Sequence, residues 1–112
     1  MIPMEQLIEH VRERPPMFLL DGSFRDYVVY FAGVDMASHV LDGFSEWIAT
    51  TRLDGHGANL IWPVLVIRVA GIEPTSSGYW RDLAPEDDAL ATDTFFELLT
   101  GLLAERARPG ND

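Results

Sequence analysis

Apolar side chains recur along most of this chain at three- and four-residue spacing, the period of a helix with one buried face. Between Pro3 and Arg14 the apolar positions are Met4, Leu7, Ile8 and Val11, with Glu5, Glu9, Arg12 and Glu13 between them, which predicts an amphipathic first helix. Pro15-Pro16 ends it, because proline breaks the hydrogen-bond ladder and disfavours helical geometry in the residue before it. A short extended connector from Met17 to Gly22 is expected next. Ser23 is suited to cap a long helix from Phe24 to about Val40, with Asp26 placed where an acid favours the dipole. Phe24, Tyr27, Val28, Tyr30, Phe31 and Val34 occupy most of its circumference, which marks this helix as the central one. A second piece from Leu41 to Thr51, around Phe44, Trp47 and Ile48, either continues it through Gly43 or restarts after a kink.

Asp54-Gly55-His56-Gly57 breaks the pattern, and Asn59 is placed to cap the next element. Leu60 to Ala70 is rich in β-branched residues, yet no other segment alternates with period two, and a lone strand has nothing to pair with. It is read as a buried helix starting near Trp62-Pro63 and stopped by Gly71. Residues 72–84 read as a loop, with turn chemistry at Pro74 and Ser76-Ser77-Gly78 and the aromatic pair Tyr79-Trp80 within it. Pro85-Glu86-Asp87-Asp88 opens a last helix, which Leu90, Phe95, Phe96, Leu99, Leu102 and Leu103 carry to about Ala107. The expected fold is all-α: a compact bundle of four to five helices around a central long helix, one domain over residues 1–108, with 109–112 a disordered tail.

The chain has 112 residues, 47% hydrophobic and 23% charged, an ordinary globular balance. Its 18 acids and eight bases give a formal net charge of −10, and every base is arginine. Such a field repels phosphates, so no nucleic-acid partner is expected. It favours solubility and fast encounter with a basic protein. With no cysteine, disulfides, thiolate metal sites and thiol catalysis are excluded, which suits a reducing compartment. No basic n-region precedes an apolar stretch, and the longest apolar run, Leu60 to Ile67, falls far short of the roughly 20 residues that span a bilayer. A cytoplasmic protein that is neither secreted nor in a membrane is expected.

Two surfaces carry candidate chemistry. Asp35, His39, Asp42 and Glu46 share one face if the helix is continuous, and a histidine flanked by carboxylates is able to act as a general base or bind a metal. The competing reading is a solvated helix face, since Leu41, Phe44 and Ile48 lie opposite. Tyr79, Trp80 and Arg81 are of the residue types that anchor protein interfaces, and Glu86, Asp87 and Asp88 lie close by in the chain. The bland alternative is that Trp80 folds back over the core, while Trp47 and Trp62 read as core. His10 and His56 read as surface residues, no histidine pair has helical metal-site spacing, and neither a metal nor any other cofactor is expected. No nucleophile elbow exists, and Gly55 and Gly57 alone do not make a phosphate loop.

The stretch Glu9-His10-Val11-Arg12-Glu13-Arg14-Pro15-Pro16-Met17-Phe18-Leu19 resembles the opening of the ATPase domain of the DNA gyrase B subunit, where a helix runs into Arg-Pro-Gly-Met-Tyr-Ile-Gly. That helix carries a catalytic glutamate and a magnesium-binding asparagine, whereas Phe31-Ala32-Gly33-Val34-Asp35-Met36 stands here, so ATPase activity is rejected. The chain also resembles a loose group of small, uncharacterised, mostly bacterial helical proteins with an Arg-Pro-x-Met-Tyr/Phe segment, through Phe44-Ser45-Glu46-Trp47, Asn59-Leu60-Ile61-Trp62-Pro63 and Phe95-Phe96-Glu97-Leu98-Leu99. Pro16 and Leu20 replace the two usual glycines of that segment. Some of the group look like members of bacterial toxin and immunity neighbourhoods, and the resemblance implies a helical fold.

Charge, size and the missing catalytic motif favour a non-enzymatic acidic protein-binding module, immunity- or antitoxin-like or regulatory, with Tyr79, Trp80, Arg81, Glu86, Asp87 and Asp88 as its binding residues. The alternative is a small enzyme or ligand-binding accessory protein of bacterial secondary metabolism using His39 and Asp35 in a pocket between helices. A homodimer on the apolar helices is compatible with either.

Overall fold

A computed structural model describes residues 3–73 and 79–108; within these are five α-helices and no strand. They are α1 (Met4–Glu13), α2 (Phe24–Ser38), α3 (Phe44–Arg52), α4 (Trp62–Ala70) and α5 (Pro85–Arg106), with 3₁₀ turns at Pro15–Phe18 and Tyr79–Arg81. The fold is an all-α bundle, and within the ambiguous stretch 60–70 the residues Trp62–Ala70 form a helix with Pro63 in its first turn. The turn residues Pro74 and Ser76-Ser77-Gly78 and the tail 109–112 lie outside the described residues.

The central helix is α5, where sequence pattern placed it at Ser23. It packs against α1, α2, α3 and α4, and Ala91, Thr94, Phe95, Phe96, Leu98, Leu99 and Leu102 are buried along it. Two adjacent phenylalanines, about 100° apart on the helix, divide the core between them. The Phe95 ring meets Phe24 and Phe31 of α2, Phe44 of α3 and Trp62 of α4, the last stacked at 5.0 Å. Phe96 faces α1 and the α1 side of α2, edge-on to Tyr27 at 4.9 Å and to Phe31, which both rings share, and under the Arg12 guanidinium of α1. Helix α2 is buried on one side only: Val29 and Met36 are exposed. Its aromatic richness misled because Tyr30 is only half-buried, against Phe18.

Several local expectations change. The connector expected to be extended from Met17 to Gly22 instead begins inside a 3₁₀ turn, Pro15–Phe18, since proline's fixed φ suits a first helical turn. Asn59 caps nothing: Ile61 is the N-cap of α4, without a side-chain bond. Ser23 does cap α2, its Oγ accepting from the Asp26 N–H at 3.2 Å. Trp47 and Trp62 are half-buried at the core's edge. Trp47 donates through Nε1 to Glu105, and its ring lies over Gly101, where an added Cβ would sit 3.0 Å from Cη2. A glycine mid-helix costs about 1 kcal/mol relative to alanine; here it makes room for an indole.

Candidate functional site

A half-open groove of about 430 Å³ lies between α1 and the C-terminal half of α5. Amphipathic α1 buries Ile8 and Val11 against α5, and the Tyr27 hydroxyl donates to the Val11 carbonyl at 3.3 Å, fixing the last turn of α1. Burial of that phenol pushes its pKa up, keeping it a neutral donor. Ile8, Phe96 and Leu103 contribute apolar lining, Thr100, Ala104 and Ala107 line the α5 side, and Glu5 and Glu9 stand on the α1 side.

The groove's charge is asymmetric. Arg12 lies 5.1 Å above the Phe96 ring centroid and 3.4 Å from Asp93, so its cation is already engaged at one end. Glu5 and Glu9, one turn apart, have no ion-pair partner among the described residues. An apolar lining beside the Glu5 and Glu9 carboxylates on a chain of net charge −10 suits an apolar side chain neighboured by lysine or arginine.

The sequence-predicted binding residues lie elsewhere and divide among themselves. Trp80 is half-buried against the core, with the Arg81 guanidinium 5.1 Å from its ring, so the tryptophan closes the bundle beside α2 and α4. Tyr79 starts that turn, and its side chain lies outside the described residues. Glu86 is exposed and Asp87 half-buried. Asp88 turns inward: its two carboxylate oxygens accept the Phe24 N–H at 3.1 and 3.2 Å, completing the N-terminus of α2. Next to it, Asp21 accepts the Ser23 N–H at 2.8 Å, and the hydroxyl and N–H of Ser23 hold the Asp21 carboxyl below the usual aspartate range. Asp88 and Asp21 are thus capping groups.

Asp35, His39, Asp42 and Glu46 do not share a helical face. Helix α2 ends at Ser38, His39 is its left-handed C-cap at φ 59°, and α3 restarts after Gly43 at φ 72°. Arg106 holds the intervening turn, donating to the Val40 carbonyl at 2.7 Å and the Asp42 carbonyl at 2.5 Å. Asp35 accepts the Leu41 N–H at 2.7 Å, closing the same turn. The His39 ring is 74% exposed, 3.9 Å from an equally open Asp42. The residues thus span a helix end, a turn and the next helix.

Sequence reasoning missed the groove because its floor residues read as core and Glu5 and Glu9 as an ordinary solvated face. The available signal was the pairing of two such acids with Ile8 on one short helix. Among the described residues, no cluster of three histidine, aspartate or glutamate side chains is arranged to hold a metal ion, and no helix is long and apolar enough to cross a membrane. No family model matches the chain, and no curated protein or solved structure was found to be similar to it.

Proposed function

We propose that this chain is a non-enzymatic protein-binding module, immunity- or antitoxin-like, that captures a basic partner through the groove between α1 and α5. The observation that carries the reading is the apolar lining of Leu103, Ala104 and Ala107 beside Glu5 and Glu9, which have no ion-pair partner among the described residues. An apolar anchor desolvated in the groove supplies affinity, and the carboxylates, backed by a net charge of −10, speed encounter and select against acidic partners. The notion of an enzyme centred on His39 loses support, because that imidazole faces water.

The test uses a synthetic amphipathic helical peptide of leucine and lysine as the partner's stand-in. Filling the groove with Thr100→Trp, at an exposed position of its lining, and reversing its charge with Glu5→Lys/Glu9→Lys are each expected to weaken binding about tenfold or more, roughly 1.4 kcal/mol. Binding that neither variant changes would remove the groove from consideration.

A further inference from the structure

We propose that two copies of this chain pair, antiparallel and two-fold symmetric, through the outer face of α2, with Ala32 and Gly33 at the axis. Arg25, Val29, Ala32 and Met36 follow one another at helical spacing along that face, and Val29 and Met36 are 66% and 84% exposed. The neighbouring 3₁₀ turn joins it through Phe18 on Tyr30 and adds Met17 and Leu19, which is 94% exposed. Gly33 supplies an independent observation. It sits mid-helix, where glycine is less favourable than alanine, yet a Cβ there would meet nothing within 4 Å in its own chain. A glycine without steric need inside the chain allows another backbone to approach closely.

Charge identifies the occupant as a second copy. With a net charge of −10, most ways of bringing two copies together set carboxylate against carboxylate. Exposed acids punctuate α1 at Glu5 and Glu9, α3 at Glu46 and α5 at Asp93 and Glu97, whereas Tyr27 to Val34 contains no charged residue. A basic partner gains nothing on this stretch. The ends of the face complement each other when reversed: Arg25 stands at one end, and at the other the turn after α2 presents Asp42, 71% exposed. A two-fold axis between Ala32 and Gly33 lays Val29 of each copy on Met36 of the other and brings Arg25 toward the opposite Asp42. It also sets the two helix dipoles antiparallel. One helix face and a turn make a small interface, so the dimer is expected to dissociate in the micromolar range.

The absence of cysteine makes the test clean. Sedimentation of the full chain over a concentration series is expected to show a monomer–dimer equilibrium that Val29→Glu weakens by at least about tenfold. The circular dichroism and melting of that variant at monomeric concentration should match the parent, because the site is exposed. Under mild oxidation Ala32→Cys is expected to form a covalent dimer much faster than Thr50→Cys, an exposed control on α3. A parent chain that stays monomeric at hundreds of micromolar, a dimer untouched by Val29→Glu, or equal cross-linking at both cysteines would each overturn the proposal.

Discussion

The carboxylate of Asp88, in the first turn of α5, accepts the backbone N–H of Phe24, the first residue of α2, with Oδ1 at 3.1 Å and Oδ2 at 3.2 Å. One side chain thus serves two helix starts, lying in the positive end of its own dipole and satisfying an orphan donor of another helix. Burial holds this carboxyl above the usual aspartate range, and the charge of Asp21 adds to that, while the Phe24 N–H and Arg25 pull the other way. The folded protein therefore binds the Asp88 proton more readily than the unfolded chain does. Its contribution to stability falls as pH rises from the unfolded value of about 3.9 through the raised folded one. Asp21, its carboxyl held low by Ser23, contributes with the opposite sign, losing its stabilisation as pH falls.

Asp88→Asn keeps an acceptor for Phe24 and removes the half-buried charge. It is expected to be at least as stable as the parent at pH 7, and the difference between the two should shrink as pH falls through the folded pKa of Asp88. Asp88→Ala removes the cap and should cost about 1 kcal/mol at neutral pH. Urea unfolding of the three proteins across pH 3 to 7 checks both statements; an asparagine variant much weaker than the parent at pH 7 would contradict the first.

Phe95 touches aromatic rings from α2, α3 and α4. Phe95→Ala is expected to cost about 3–5 kcal/mol, a large part of a typical domain's stability, through lost burial and an uncollapsed cavity. Phe95→Leu should lose less and retain a cooperative transition. Thermal melts of both variants test this, and an alanine variant within about 1 kcal/mol of the parent would mean that the rings do not converge as described.

His39 sits at φ 59°, where glycine is unstrained, and its ring is 74% exposed. His39→Gly is expected to leave stability unchanged or raise it by up to about 1 kcal/mol, relief of left-handed strain exceeding the added unfolded-state entropy. It should also leave binding of the leucine–lysine peptide unaltered. Loss of that binding on removal of the imidazole would return His39 to the working surface.

The fold was legible where side-chain period and proline chemistry agree: the Pro63 and Pro85 helix starts, the Ser23 cap and the Gly71 stop all stand. The centre of the bundle was not. Phe95 and Phe96 look like one apolar pair in sequence, and only the crossing of the other helices reveals that, beyond the Phe31 they share, Phe95 meets α3 and α4 while Phe96 meets Tyr27 and Arg12. The turn after α2 was hidden as well, because its determinants, Arg106 on the Val40 and Asp42 carbonyls, lie more than sixty residues away along the chain. That distant clamp is why Asp35, His39, Asp42 and Glu46 part company. For the binding surface, sequence pointed to Trp80 and Asp88, whose types suit interfaces but whose contacts face the bundle. The groove depends on how far α1 stands from α5, which no local pattern encodes.

Docking of an apolar, basic segment in the α1/α5 groove is the central claim. Amide chemical-shift mapping on the full chain, titrated with the leucine–lysine peptide at low and high salt, examines it directly. Shifts concentrated at Glu5, Ile8, Glu9, Thr100 and Ala104, with affinity falling as salt screens the carboxylates, are the predicted result. Shifts gathered instead on Val29 and Met36 or around Trp80, or binding indifferent to salt, would contradict it.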